Sequence, residues 1–255
     1  MKGTLKICID AGHFGKNNWN NKITPTYWES LMAWDLHLML KEELEKYNGV
    51  TVITTRADET KDLGLEARGK RAVGCDLFIS LHSNACGTES VDRPVVIYPV
   101  SGAMKDLAVT LAETVRSVMQ TNDAARTYTK WNGAHNADYY GVIRGAASVG
   151  VPGLIIEHSF HTNNRSAKWL QNPANLRKLA VAEAKVLAEK YCLVRKGCPF
   201  TDVKEGKWYY DDVLWAYENG ITSGVSKDKF GVGQPCTREQ VVAILHNYDK
   251  ARRCG

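Results

Sequence analysis

Apolar residues along the chain fall into two alternating kinds of run. Short unbroken runs at 5–9, 50–54, 77–81, 95–98 and 154–156 have the length and composition of buried strands. Longer stretches at 27–47, 102–120 and 174–191 predict helices; in the first, Leu36, Leu40, Leu44 and Tyr47 recur at helical spacing. This alternation predicts an α/β fold in which helices cover a largely buried sheet. At "LVRKGCP", residues 193–199, a glycine, a proline and two cations break the last long helix. Beyond it the pattern turns aromatic-rich, then turn-rich, then helical. The reading is a first domain over 1–192, a linker over 193–199 and a small, mostly helical domain over 200–255.

A chain of 255 residues is long enough for one sizeable core and a smaller second unit. With 44% hydrophobic and 24% charged residues, disorder is not expected. The net charge of +5 is scattered, which suits an anionic polymer but forms no nucleic-acid stripe, so no nucleic-acid partner is expected. No apolar run reaches the length of a membrane-spanning helix, so no membrane partner is expected either. The opening "LKICIDAGH" is too soon interrupted by charge for a secretory core, which predicts synthesis in the cytoplasm without a signal peptide. The seven cysteines are odd in number and form no C-x-x-C pair, so a cysteine zinc site is not expected. Cys8, Cys75 and Cys86 lie in or beside apolar segments and read as small buried hydrophobes, with the thiols mostly reduced.

Three strand-like runs end on side chains suited to chemistry. His13 follows the first, His82 follows 77–81, and Glu157 follows 154–156. In open α/β sheets the carboxyl ends of the strands are where ligands bind. Two histidines and a carboxylate converging there make a zinc-hydrolase pattern with an open position for water. Glu29 carries two readings, because Thr26-x-x-Glu29 also has the spacing of a helix capping box. His158 alternates away from Glu157 if the strand is extended. His161 and Asn84 are candidate substrate contacts; Asn84 equally suits capping its loop. Trp19 and Trp28, in "GKNNWNNKITPTYW", suit either sugar stacking or loop packing.

"IDAGHFG", Glu29, "TTR" at 54–56, "LEARGKRA", "DLFISLHSNA" and "GLIIEHSFHTN" together resemble the zinc-dependent N-acetylmuramoyl-L-alanine amidases of the Amidase_3 family, over roughly the first 190 residues. The resemblance implies a twisted mixed sheet flanked by helices. It implies Zn2+ held by His13, Glu29 and His82, with Glu157 as the catalytic carboxylate. It also implies cleavage of the amide between N-acetylmuramic acid and the L-alanine of the peptidoglycan stem peptide. The segment from Pro199 to Tyr248, with "FTDV", Trp208, "NGITSG", Phe230 and "TREQ", resembles an S-layer homology motif. That resemblance implies binding of a secondary cell-wall polymer, with Trp208 and Arg238 at binding positions; packing into the core is the other reading of Trp208. Thr237 and Gln240 have the spacing of a capping box.

These features describe a peptidoglycan hydrolase acting on the cell wall, of endolysin type. The alternatives are a zinc peptidase cutting stem peptides and a wall-binding structural protein with an inactive catalytic domain. The family carries several S-layer motifs and this chain one, so the C-terminal domain is expected to associate as a dimer or trimer.

Overall fold

The structure is a computed structural model and describes residues 4–253. In chain order its elements are β1 (Leu5–Ala11), β2 (Trp19–Asn20), β3 (Tyr27–Trp28), α1 (Glu29–Leu44), β4 (Val50–Thr54), α2 (Leu65–Lys70), β5 (Leu77–Asn84) and β6 (Val95–Ile97). There follow α3 (Lys105–Met119), β7 (Arg126–Tyr128), α4 (Gly141–Ala147), β8 (Gly153–Phe160), α5 (Asn164–Leu170), α6 (Pro173–Tyr191), α7 (Tyr210–Glu218) and α8 (Arg238–Arg253). The chain divides into two compact units between Arg195 and Lys196.

In the first unit six strands form one mixed sheet in the order β4-β1-β5-β8-β6-β7. The four strands β4, β1, β5 and β8 are parallel, β6 runs antiparallel to β8, and β7 is parallel to β6. Both faces are covered, which explains the unbroken apolar runs. Ile7, Ile9, Leu77, Ile79, Leu81, Leu154 and Ile156 face one core with α1, α3 and α6. Cys8, Phe78 and Ile155 face the other with α4. Leu36, Leu40 and Leu44 of α1 are fully buried, as their spacing predicts. Asn172 caps α6 by accepting from the Ala174 N–H at 2.9 Å, and Pro173 sits in its first turn.

The paired strands β5 and β8 run further than their apolar cores. His82 pairs with Glu157, but Asn84 pairs with Phe160, so His158 and Ser159 together oppose Ser83. This bulge leaves Ser159 at φ 94°, held by its hydroxyl donating to Asp92 Oδ1 at 2.9 Å. Just before the bulge, regular pairing sets His82 and Glu157 side by side.

The second unit has a small core of Phe200, Val203 and Val213, bordered by Cys198, Tyr209, Tyr210 and Phe230. The Asp202 carboxylate accepts from the backbone N–H groups of Phe230 (2.8 Å), Gly231 (2.8 Å) and Val232 (3.1 Å). The expected capping box opens α8: Gln240 Oε1 accepts from Thr237 N at 2.8 Å and Thr237 Oγ1 from Gln240 N at 3.3 Å. Val242 and Leu245 of α8 are 65% and 60% exposed, so the apolar stripe of that helix is largely open.

The six cysteines among the described residues are free, with Cys8 buried and Cys75 and Cys86 half-buried; Cys254 lies outside the described residues. No helix among the described residues is long and apolar enough to cross a membrane.

Candidate metal centre

His13 lies two residues past β1, in the left-handed region at φ 59°. Two buried arginines hold this strained turn. Arg68 donates to the carbonyls of Ala11 (2.6 Å) and His13 (2.7 Å), and Arg56 donates to Ala11 O at 2.9 Å. Gly12 sits between them for a steric reason. A Cβ there would lie 2.6 Å from both ring nitrogens of His82.

Glu29 is the first residue of α1, and the capping-box reading fails. The N-cap is Trp28 and no side chain caps the helix. Its carboxylate is spent elsewhere: Oε1 lies 2.9 Å from His82 Nδ1, 3.0 Å from Ser83 N and 3.3 Å from His13 Nε2. Oε2 accepts from the Asn18 amide at 2.8 Å, and that same amide nitrogen lies 3.0 Å from His13 Nε2. His13, Glu29 and His82 thus offer three ligand atoms within 4.8 Å of one another.

His82 is oriented from behind. Its Nε2 lies 3.0 Å from Ser80 Oγ, which donates at 2.7 Å to Oδ2 of the buried Asp10; Thr55 Oγ1 donates to Asp10 Oδ1 at 2.5 Å. A proton on Nε2 satisfies this relay and leaves Nδ1 facing Glu29, the arrangement that orients a ligating histidine.

Charge follows from the geometry. Burial alone would raise the Glu29 carboxyl, but hydrogen bonds from His13 and His82 hold it well below the usual range. Burial alone would lower His82, but Glu29 pushes it up to about 9. Glu157 is pushed up to about 7, first by burial and further by the Glu29 charge, with His82 opposing. One of its oxygens, Oε2, is buried with no hydrogen-bond partner among the described residues. Two imidazoles and a carboxylate, with an unpartnered carboxylate oxygen on the adjoining strand, form a donor set that fits Zn2+.

A model of N-acetylmuramoyl-L-alanine amidases, Amidase_3, matches residues 7–189, which takes in every residue of this cluster. The chain belongs to the Amidase_3 family. An S-layer homology domain model matches residues 199–242. The N-acetylmuramoyl-L-alanine amidase CwlM of Bacillus licheniformis is 27% identical over 202 residues, 78% of this chain and 74% of that protein. A cell surface protein of Thermoanaerobacter kivui is 46% identical over 48 residues, which are 19% of this chain and 6% of that protein. The N-acetylmuramoyl-L-alanine amidase structure from Clostridium difficile 630 superposes with a TM-score of 0.64 at 21% identity, covering 75% of this chain and 98% of that one, and so shares the fold.

Other residues of this Amidase_3 unit fall into place around the cluster. His161 is buried in the turn after β8, stacked on Tyr27 at 5.8 Å, 3.0 Å from Ser83 Oγ and 3.8 Å from Glu29 Oε2. Asn84 ends β5 and its side chain accepts from Ala85 N at 2.8 Å, which caps its own turn. His158 points to the opposite face, as alternation predicts. It lies 2.7 Å from the fully buried Glu183, and its Nδ1 donates to His82 O at 2.8 Å. Burial disfavours the charged ring, but Glu183 overrides it and raises the His158 pKa. In the S-layer homology unit, Trp208 is 86% exposed, which rules out the core reading, and Arg238 begins α8. Asp10, Asn18, Ser80 and Arg68 were not singled out from sequence. Only the position of Asp10 inside an apolar strand gave a signal, since a buried carboxylate demands partners.

Proposed function

We propose that the first unit is a zinc-dependent amidase cleaving the bond between N-acetylmuramic acid and L-alanine in peptidoglycan. The observation that carries this is the convergence of His13, Glu29 and His82 beside the unpartnered oxygen of Glu157. His13, Glu29 and His82 would hold the ion, which when bound polarises the amide carbonyl and makes its water acidic. Glu157, with a pKa near neutrality, takes the proton of the attacking water and returns it to the leaving amine nitrogen. Ser80 and Asp10 keep the His82 ring turned with Nδ1 inward, and Arg68 and Arg56 keep the His13 turn in place. Asn84 and His161, at the rim and floor of the cluster, would contact substrate. Mass spectrometry of digested peptidoglycan tests the reading: intact stem peptides with a free L-alanine amine are expected. Cuts within the stem would establish a zinc peptidase instead, and no products an inactive domain.

The second unit would bind a secondary cell-wall polymer through exposed Trp208 and Arg238. The open apolar stripe of α8 supports association of two or three copies, which would also gather weak polymer sites. Light scattering on the full chain tests this, and a monomer at micromolar concentration would end it. The free thiols support an endolysin made in a reducing compartment, with clearing of a cell suspension by added protein as the test.

A further inference from the structure

Residues 14–28 pass beside the metal centre, and the function just proposed leaves their two tryptophans unused. Strands β2 and β3 pair antiparallel, Trp19 opposite Trp28 and Asn20 opposite Tyr27. Alternation then sends the two pairs to opposite faces. The inner pair is clamped to the site. Asn20 donates to His161 O and to Asn164 Oδ1, both at 2.9 Å, and Tyr27 OH lies 2.7 Å from Ser83 Oγ. The outer pair does no such work. Trp19 is 53% exposed, and its ring lies 6.1 Å from that of the half-buried Trp28 at 35°. Lys16 Nζ stands 5.9 Å from the Trp28 ring.

The position of this pair is what gives it meaning. Trp19 follows Asn18, whose amide touches His13 and Glu29, and Trp28 precedes Glu29 itself. On the amidase reading, on which this inference rests, the scissile bond is attached through a lactyl group to a sugar. A pyranose ring must therefore lie close beside the centre when the bond is in place. A pyranose presents flat C–H faces, and a stem peptide with its carboxylates presents few. Indole rings offer large, rigid apolar area at small entropic cost, with a polar N–H at the edge.

We propose that Trp19 and Trp28 form a stacking subsite for the N-acetylhexosamine units of the glycan strand, and that it sets the enzyme's preference for substrate still carrying sugar. Lys16 at its border suits the polar substituents of the same rings.

The test uses the full chain and the peptide-free disaccharide of N-acetylglucosamine and N-acetylmuramic acid. Indole N–H resonances in a nitrogen-15 spectrum report where it binds. Trp19 and Trp28 are expected to shift and Trp208 to stay. Trp19→Ala should abolish those shifts and raise KM on muropeptides about tenfold, with the loss falling on KM rather than kcat. Bound metal should be unchanged, and Trp19→Tyr should recover much of the affinity. If the pair only braces the hairpin, Trp19→Ala will instead lower metal content and kcat, and the disaccharide will move neither indole. That result overturns the proposal. Indole shifts together with cuts inside the stem peptide would keep the subsite and remove the amidase reading, so the two fail separately.

Discussion

The two glutamates at the centre are chemically identical and differ only in surroundings. Glu29 is wrapped by donors, whereas Glu157 keeps one oxygen without a partner. Glu157→Gln should therefore retain zinc by elemental analysis while kcat falls by about two to four orders of magnitude. Glu29→Gln should lose the metal itself, because one of the three proposed ligands is gone. Gly12→Ala should also lose metal, by driving the His82 ring off its Ser80 contact. Behind the site, Glu183→Ala removes the partner of His158 Nε2 and leaves that buried ring nitrogen unsatisfied. A cost of about 1–3 kcal/mol in urea unfolding is expected. His13, His82 and Glu157 stand out in the sequence because each follows the end of an apolar run. The partners of Glu29 do not: Thr26 lies three residues away and suggests a cap, while His82 lies 53 residues on. Local spacing cannot register such a contact.

Among the elements, long helices were readable because burial of one face leaves a periodic trace, and central strands because burial on both faces leaves an unbroken apolar run. The strand ends were not. β5 continues through His82 to Asn84, and β8 through Glu157 to Phe160, since backbone pairing persists where the side chains turn polar. The bulge at His158 and Ser159 has no composition signal. Helices α2 and α4, of 6 and 7 residues, are too short to show a period. They are held by glycine instead. A Cβ on Gly69 would strike the backbone of α4 at Val142 and Ala146, and one on Gly145 the backbone of α2 at Glu66. Gly145→Ala should thus destabilise the unit by about 1–3 kcal/mol in thermal or urea unfolding, through forced separation of the two helices. Since α2 carries Arg68, the His13 turn should loosen with it.

Across the whole molecule the two units differ in what sustains them. The first has deep cores on both sides of its sheet, while the second has a small core and a turn tied down by one hydrogen-bonded carboxylate. Backbone donors from Phe230, Gly231 and Val232 hold Asp202 down at about 2. An unfolded aspartate titrates near ~3.9. The folded value is the lower one, so this contribution is complete above about pH 4 and is lost as pH falls through about 2. Near-ultraviolet circular dichroism of the aromatic-rich second unit should fade in that window, and Asp202→Asn should flatten the dependence. The composition shift at 193–199 lies where the two compact units divide, whereas the support from Asp202 depends on a turn about thirty residues downstream.

The sheet determines when the site residues can come together. His13, Glu29 and His82 are all present once β5 has been synthesised, but Glu157 arrives with β8, and β8 must insert between β5 and β6. Parallel neighbours such as β1, β5 and β8 meet only after long crossovers have closed, which is slow. On the proposed roles, a nascent chain therefore holds its three metal-binding residues before its acid–base residue has been synthesised. On that reading, hydrolytic competence waits for β8, a delay written into the strand order.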